Sequence, residues 1–221
     1  MIISNNTSNK LIKTGIEMNF PTLIRLFAVG TLLSTFAIQS HAQDGRWQVR
    51  AALSNVDPTS SPGSIFGGTA KVNIDDTWGF TGTVSYFLSP NLAVDLLVGL
   101  PPEHDIIVAG NKAATTKHLP PILSLQYHFL PNEKLRPYVG AGVNYTYFFD
   151  EQLKDGNKLK LTDSFGFALQ AGVDYQIAPQ WTVGADIRYA DINTDVKING
   201  TKVGSVDVDP TVYSLNFGYR F

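Results

Sequence analysis

The sequence predicts an all-β fold: an eight-stranded antiparallel transmembrane β-barrel with short periplasmic turns and long extracellular loops. Three observations support it. Eight segments alternate large apolar residues with small or polar ones, their connections are alternately short and long, and the chain ends on an aromatic strand. Each segment has about ten residues, the length that a tilted strand needs to cross a bilayer. The segments are 46–56, 76–88, 91–100, 119–129, 137–148, 164–176, 181–193 and the terminal run Tyr213–Phe221.

The alternation gives each segment one bulky and one small or polar face. In the sixth segment, for example, Phe167 stands between Gly166 and Ala168. Bulky apolar residues suit an outer surface in lipid, and small residues suit the inside of a narrow barrel. A soluble eight-stranded barrel of lipocalin type would instead carry charges on its outer face. The predicted lipid-facing residues include Trp47, Phe167, Val183 and Leu215.

The distribution of charge supports the same fold class. All eleven lysines lie in the N-terminal leader or in segments predicted as loops and turns, and the eight segments contain neither lysine nor glutamate. A soluble β-protein would place these residues on its solvent face. A net charge of −2 and a pI near 6 argue against nucleic-acid binding. The absence of cysteine excludes a disulfide or a thiolate metal site.

The connections alternate in length, as they do in outer-membrane barrels. Three are short and contain proline, and four are long and polar. An even number of strands returns both termini to the periplasm, and the barrel must close because hydrocarbon leaves an open sheet edge unpaired. The short connections are Ser89–Asn91, Leu130–Asn132 and Ala178–Gln180, and the long ones are about 57–75, 101–118, 149–163 and 194–206.

The N-terminal region predicts export. The stretch Leu23–Ile38 is largely apolar, and Ser40 and Ala42 fit the small-residue positions of a secretory cleavage site. Cleavage there would leave Gln43 as the first residue of the mature chain. Residues 1–42 are therefore interpreted as an N-terminal extension with a cleavable signal peptide, whose true start is Met18 in one reading, and residues 43–221 as the barrel. An uncleaved soluble helix is the alternative.

The last strand has the clearest pattern in the chain. Every second residue from Tyr213 to Phe221 is aromatic or leucine, and the chain stops on the final aromatic. Period-two alternation indicates a strand with one apolar face. Aromatic residues at a strand end are typical of the membrane interface in outer-membrane barrels.

Several motifs resemble those of the OmpW family. They are Lys117–Phe129, Arg136–Phe149, Gly172–Tyr175, Tyr189–Ile192, and Val208–Pro210 followed by Gly218–Phe221. The resemblance covers nearly the whole mature chain and implies an outer-membrane barrel with a narrow, partly apolar lumen. The family is thought to take up small hydrophobic molecules and to release them sideways through the barrel wall. It also implies recognition of the terminal aromatics, Tyr219 and Phe221, by the barrel-assembly machinery.

Candidate functional residues lie on the predicted lumen face. Leu97 would line an apolar constriction together with Arg188, which stands where family members tend to carry a bulky aromatic. Proline has no N–H to donate to a sheet, so Pro120 and Pro121 at the start of the fourth strand predict a lateral gap, or else an ordinary strand start. Other lumen charges are expected either to pair or to form a selectivity filter. The lumen set comprises Leu97, Arg188, Asp186, His128 and Asp95, with Arg50, Asp174 and Arg220 also pointing inward.

The predicted function is uptake of small, largely hydrophobic molecules through a narrow channel. The alternative is a structural or adhesive barrel, whose mark would be a lumen sealed by salt bridges. An enzyme is not expected, because Ser124 and His128 stand about 13 Å apart along one strand, too far for a hydrogen bond of about 3 Å. No cofactor is expected. The expected partners are outer-membrane lipid and lipopolysaccharide, the assembly machinery, periplasmic chaperones and a hydrophobic solute, with the chain a monomer.

Overall fold

The computed structural model describes residues 45–100, 103–108, 110–153 and 157–221, which form fifteen β-strands. Within them, no helix has the length and apolar character that crossing a membrane requires. The predicted signal peptide and extension, residues 1–42, lie outside the described residues and stay a prediction. The strands are β1 (Trp47–Asp57), β2 (Ser64–Ile65), β3 (Ala70–Ile74), β4 (Thr77–Phe87), β5 (Leu92–Gly99), β6 (Glu103–Val108), β7 (Asn111–Leu119), β8 (Ile122–His128), β9 (Leu135–Leu153), β10 (Leu159–Leu161), β11 (Ser164–Gln176), β12 (Trp181–Ala190), β13 (Asn193–Ile198), β14 (Thr201–Asp207) and β15 (Thr211–Arg220).

Eight of these strands close into an antiparallel barrel, which confirms the predicted fold class. Starting from β1, neighbouring strands pair in the order β4, β5, β8, β9, β11, β12 and β15. The closing ladder between β15 and β1 runs from Gln48 opposite Arg220 to Asp57 opposite Thr211. Closure removes the open sheet edge that would otherwise face hydrocarbon.

The two faces of the barrel wall agree with the predicted alternation. Phe167, Val183 and Leu215 point outward and are exposed, and Trp47 packs beside the outward ring of Tyr86, with ring centroids 4.8 Å apart. Inward residues are polar or small and are buried, as the lumen-facing serines and threonines of β1, β4 and β9 show. An apolar outside around a polar inside is the arrangement of a barrel that stands in lipid.

The three short turns lie together at one end of the barrel, as predicted. Each is closed by backbone hydrogen bonds, for example from the Trp181 N–H to the Ala178 carbonyl at 3.2 Å and from the Glu133 N–H to the Leu130 carbonyl at 3.2 Å. This end is the periplasmic one in the assigned topology.

The four long connections leave the opposite end, as predicted, but much of their length forms additional short strands. They contain β2 and β3, β6 and β7, β10, and β13 and β14. These strands pair in the order β10, β13, β14, β2, β3, β6, β7 and β9, and so continue the barrel wall beyond the membrane. We call this part the extracellular extension: β2, β3, β6, β7, β10, β13, β14 and the last residues of β9.

The extension has the opposite alternation to the membrane strands. Val72 is buried while Lys71 and Asn73 beside it are exposed, and Val206 is buried between exposed Ser205 and Asp207. These strands stand in water, so their polar side chains face outward and their apolar ones inward. The assignment of the lysines to loops is corrected for those that lie in strands of the extension: Lys71, Lys112, Lys117, Lys160, Lys197 and Lys202.

Candidate functional site

A layer of buried charges crosses the lumen inside the membrane part of the barrel. Arg50 on β1 donates to Asp174 on β11 at 2.7 Å and to Asp95 on β5 at 3.5 Å. Arg188 on β12 donates to Asp186 at 2.8 Å and to Asp95 at 3.2 Å. We call these five residues the charged layer. Their side chains are almost wholly buried, so five of the lumen charges predicted from the sequence are paired with one another, whereas Arg220 lies outside the layer.

Neutral polar residues add hydrogen bonds to this layer, although Arg50 Nε, Asp174 Oδ1 and one terminal nitrogen of Arg188 are buried without a partner. The Ser85 hydroxyl donates to Asp95 at 2.5 Å, and the Gln48 amide donates to Asp174 at 3.3 Å. The Asn216 amide donates to the second oxygen of Asp186 at 3.0 Å. Because an isolated charge is costly in a low-dielectric interior, these bonds help to hold the layer in one arrangement.

The charged layer closes the lumen. Arg188 on β12 bonds to Asp95 on β5, two strands on opposite sides of the barrel, and both side chains are buried. Beside Arg188, the Gln170 amide donates to the Ser124 hydroxyl at 2.8 Å, and the gap next to these residues has no room for a water molecule. These contacts block the axis of the lumen at the level of the charged layer.

His128 lies in the lumen but not at the constriction. Its ring packs between Phe87 and Tyr138, with centroids 5.0 Å from each, and bonds to the Gln126 side chain at 3.1 Å. Asn91 in a periplasmic turn accepts its backbone N–H. The sequence predicts that His128 points into the lumen, and it does; the alternation gives the face of a residue but not its height along the barrel. Ser124 accepts a hydrogen bond from Gln170, whereas His128 bonds to Gln126. Ser124 and His128, considered above as a catalytic pair, therefore have different partners.

Leu97 lies directly on the extracellular side of the charged layer. It stands opposite Ile122 of β8, and both side chains are buried. They belong to an apolar cluster that extends up into the extension. We call its lowest part the apolar floor: Leu97, Ile122, Ala168, Ala190 and Ile192. The sequence analysis missed Ile122 and Ile192, although Ile122 continues the lumen face of Ser124 and Gln126.

Above the floor, the extension encloses an apolar cavity of about 60 Å³. Its lining is aliphatic apart from Phe148 and the two threonines Thr116 and Thr194. The sequence analysis missed this cavity as well, because it read the lining segments as polar loops. The signal that could have found it is the inverted alternation around Val72 and Val206.

In the described residues, the ladder between β5 and β8 ends beside the apolar floor. Pro120 and Pro121 separate β7 from β8. On the β9 side the pairing continues across them, since the Tyr145 N–H donates to the Pro121 carbonyl at 3.2 Å. On the other side, the ladder between β5 and β8 ends at Leu97 opposite Ile122. Pairing resumes between β6 and β7 at Glu103 opposite Lys117, and residues 101 and 102 lie outside the described part of the chain. We call the place where the β5–β8 ladder ends the lateral break.

The terminal residues form the seam of the barrel at its periplasmic end. Phe221 exchanges two backbone hydrogen bonds with Trp47, at 2.8 and 3.0 Å. Its ring stacks on Tyr219 with centroids 5.9 Å apart, and Tyr219 in turn contacts Trp181 at 4.6 Å. Both aromatics therefore belong to a ring cluster at the membrane interface.

A closed antiparallel barrel with an apolar outside, a filled polar lumen and short turns at one end defines an outer-membrane β-barrel protein. The chain belongs to the OmpW family, whose model matches residues 43–221. Outer membrane protein W of Escherichia coli (strain K12) is 38% identical over 90% of this chain and 98% of its own length. Outer membrane protein AlkL of Ectopseudomonas oleovorans is 35% identical over 69% of this chain and 70% of its own. The crystal structure of OprG from Pseudomonas aeruginosa superposes with a TM-score of 0.74 at 34% identity, covering 80% of this chain and 96% of that one. The protein is thus located in the outer membrane.

Proposed function

We propose that this chain takes up small, largely apolar molecules from the extracellular side and releases them sideways into the membrane. The solute enters the apolar cavity of the extension, reaches the apolar floor at Leu97, and leaves through the lateral break near Pro120 and Pro121. The observation that carries the proposal is the position of this break, beside the apolar floor and above the closed charged layer. The lining favours an apolar solute, because a polar one would lose its hydrogen bonds to water there.

The charged layer bears on both candidate functions. A lumen sealed by salt bridges is the feature expected of a structural or adhesive barrel. In this barrel the charged layer seals the lumen at one level, between the apolar floor and the periplasmic end. A lateral route leaves the barrel above that seal, however, so the seal is compatible with uptake as well. The apolar cavity and its neighbouring break favour uptake, since a purely structural barrel needs neither. Family membership favours uptake too. Neither function calls for a catalytic group.

Uptake of a hydrophobic fluorescent probe by intact cells tests this proposal. Leu97→Trp should strongly reduce the uptake rate, because the larger ring fills the floor next to the break. Leu96→Trp is the matched control, since Leu96 is the adjacent residue and faces lipid; it should leave uptake near the wild-type rate. If wild-type cells take up the probe no faster than cells lacking the protein, the structural or adhesive function takes its place.

We also propose that the barrel-assembly machinery recognises Tyr219 and Phe221. Phe221→Ala keeps the two backbone hydrogen bonds to Trp47 and removes only the ring, so we expect most of the folded, heat-modifiable protein to be lost from the outer membrane. Unassisted refolding into detergent should remain normal. Tyr213→Ala removes an outward ring from the other end of the same strand and should assemble normally. Equal yields of the two variants in the outer membrane would contradict the proposed role.

A further inference from the structure

Three arginines line a pocket at the periplasmic end of the barrel, beneath the charged layer. Arg46 precedes β1, Arg136 lies near the start of β9 and Arg220 ends β15. The pocket has a volume of about 760 Å³, within the range of roughly 300–1,000 Å³ typical of small-molecule sites. All three short turns contribute to its rim, each with its proline: Pro90, Pro131 and Pro179.

The guanidinium groups of Arg136 and Arg220 contact only neutral groups. Arg136 donates to the Glu133 backbone carbonyl at 2.8 Å and to the Gln176 side-chain oxygen at 2.7 Å. Arg220 donates to the Gly45 carbonyl at 2.5 Å, and its guanidinium lies 3.8 Å from the centroid of the Phe87 ring. In the part of the chain that the structure describes, neither forms an ion pair with a carboxylate.

The neighbouring carboxylates do not neutralise this pocket. Asp174, the acidic residue of the charged layer opposite Arg136 on β11, is held by Arg50 at 2.7 Å. Phe221 also lines the pocket, and among the described residues that line it none is an aspartate or a glutamate. Arg136 and Arg220 therefore give the pocket a positive charge that faces the periplasm.

We propose that this periplasmic pocket binds a phosphate-bearing small molecule from the periplasmic side. Guanidinium groups suit phosphate because their planar N–H pairs match two of its oxygens and keep their charge at every physiological pH. The pocket volume leaves room for an organic portion beside the phosphate, against Phe87 and the rim prolines. The phosphate could come from a soluble periplasmic compound or from a lipid headgroup of the inner leaflet. The site lies below the charged layer, off the proposed uptake route, so the two proposals stand independently.

Calorimetry on the full-length barrel in a nonionic detergent tests the site with two probes. One is inorganic pyrophosphate, and the other is a short-chain phosphatidylglycerol kept below its micelle concentration. Arg136→Gln and Arg220→Gln should each weaken binding by about tenfold, as expected for the loss of one charge-assisted contact. Lys134→Gln is the matched control, because Lys134 is an exposed cation two residues from Arg136 that does not line the pocket.

The two probes distinguish the sources of the phosphate. Binding of the lipid alone indicates a headgroup site, binding of pyrophosphate alone indicates a soluble ligand, and binding of both indicates recognition of the phosphate itself. Heat-modifiable migration on a gel verifies that each variant is folded. Arg136→Lys keeps the charge but loses the planar N–H pair, so it should weaken binding less than Arg136→Gln does. If neither probe binds, or if Lys134→Gln weakens binding as much as Arg136→Gln does, the proposal is overturned.

Discussion

Arg50→Met should lower the free energy of unfolding by roughly 3–5 kcal/mol, the usual penalty for removing one partner of a buried ion pair. Arg50 links Asp95 and Asp174 across the lumen, and methionine has a similar length but no charge. In the described residues, the variant leaves the Asp174 carboxylate with the Gln48 amide as its remaining side-chain hydrogen-bond donor. It also leaves the charged layer with three carboxylates and one guanidinium, Arg188.

Removing a carboxylate from the same layer should have a smaller effect. In Asp95→Asn, Arg50 still has Asp174 at 2.7 Å and Arg188 still has Asp186 at 2.8 Å, so neither buried cation is left alone. Lys202→Met serves as the surface control, because Lys202 pairs with Asp195 on the exposed face of the extension. Urea-induced unfolding from lipid vesicles, followed by tryptophan fluorescence, measures all three. Equal losses in Arg50→Met and Asp95→Asn would contradict this account, in which two guanidinium groups pair with three carboxylates and Asp95 is the surplus carboxylate.

The membrane strands could be predicted from the sequence because lipid imposes a strict rule on them. A strand in hydrocarbon must turn its large apolar side chains outward, so the faces of residues such as Phe167 and Leu97 follow from alternation alone. The lateral gap at Pro120 and Pro121, inferred from the chemistry of proline, stays a prediction. The sequence could not say which neighbouring strand it would affect: pairing with β9 continues at Pro121, and the β5–β8 ladder of the described residues ends at Leu97 opposite Ile122.

The sequence could not predict the strands of the extracellular extension or the partners of the buried charges. The extension is surrounded by water instead of lipid, so its strands turn their apolar side chains inward and their polar ones outward. Exposed Lys71 beside buried Val72 is therefore part of a strand, where the sequence predicts a loop. Charge pairing depends on side-chain reach across the lumen. Arg50 and Asp174 are 124 residues apart in the sequence, and no local pattern connects them.

The most direct test of the central claim is a reversible cross-link over the lateral break. If the β5–β8 ladder continued past Leu97 and Ile122, Gly99 would stand opposite Pro120. The chain contains no cysteine, so Gly99→Cys with Pro120→Cys introduces the only two thiols. A disulfide requires Cα atoms within about 7 Å, so its formation draws the two edges of the break together.

The control is a disulfide in the closed part of the wall, Ser54→Cys with Ser214→Cys. These residues are register partners in the β1–β15 seam, with their hydroxyl oxygens 2.9 Å apart. Uptake of the hydrophobic probe is measured in oxidised and reduced cells carrying either pair. The account predicts that oxidation of the Gly99–Pro120 pair reduces uptake to the level of cells lacking the protein, that reduction restores it, and that the seam pair has no effect. Unchanged uptake with a fully formed cross-link over the break would show that solutes do not leave the barrel there.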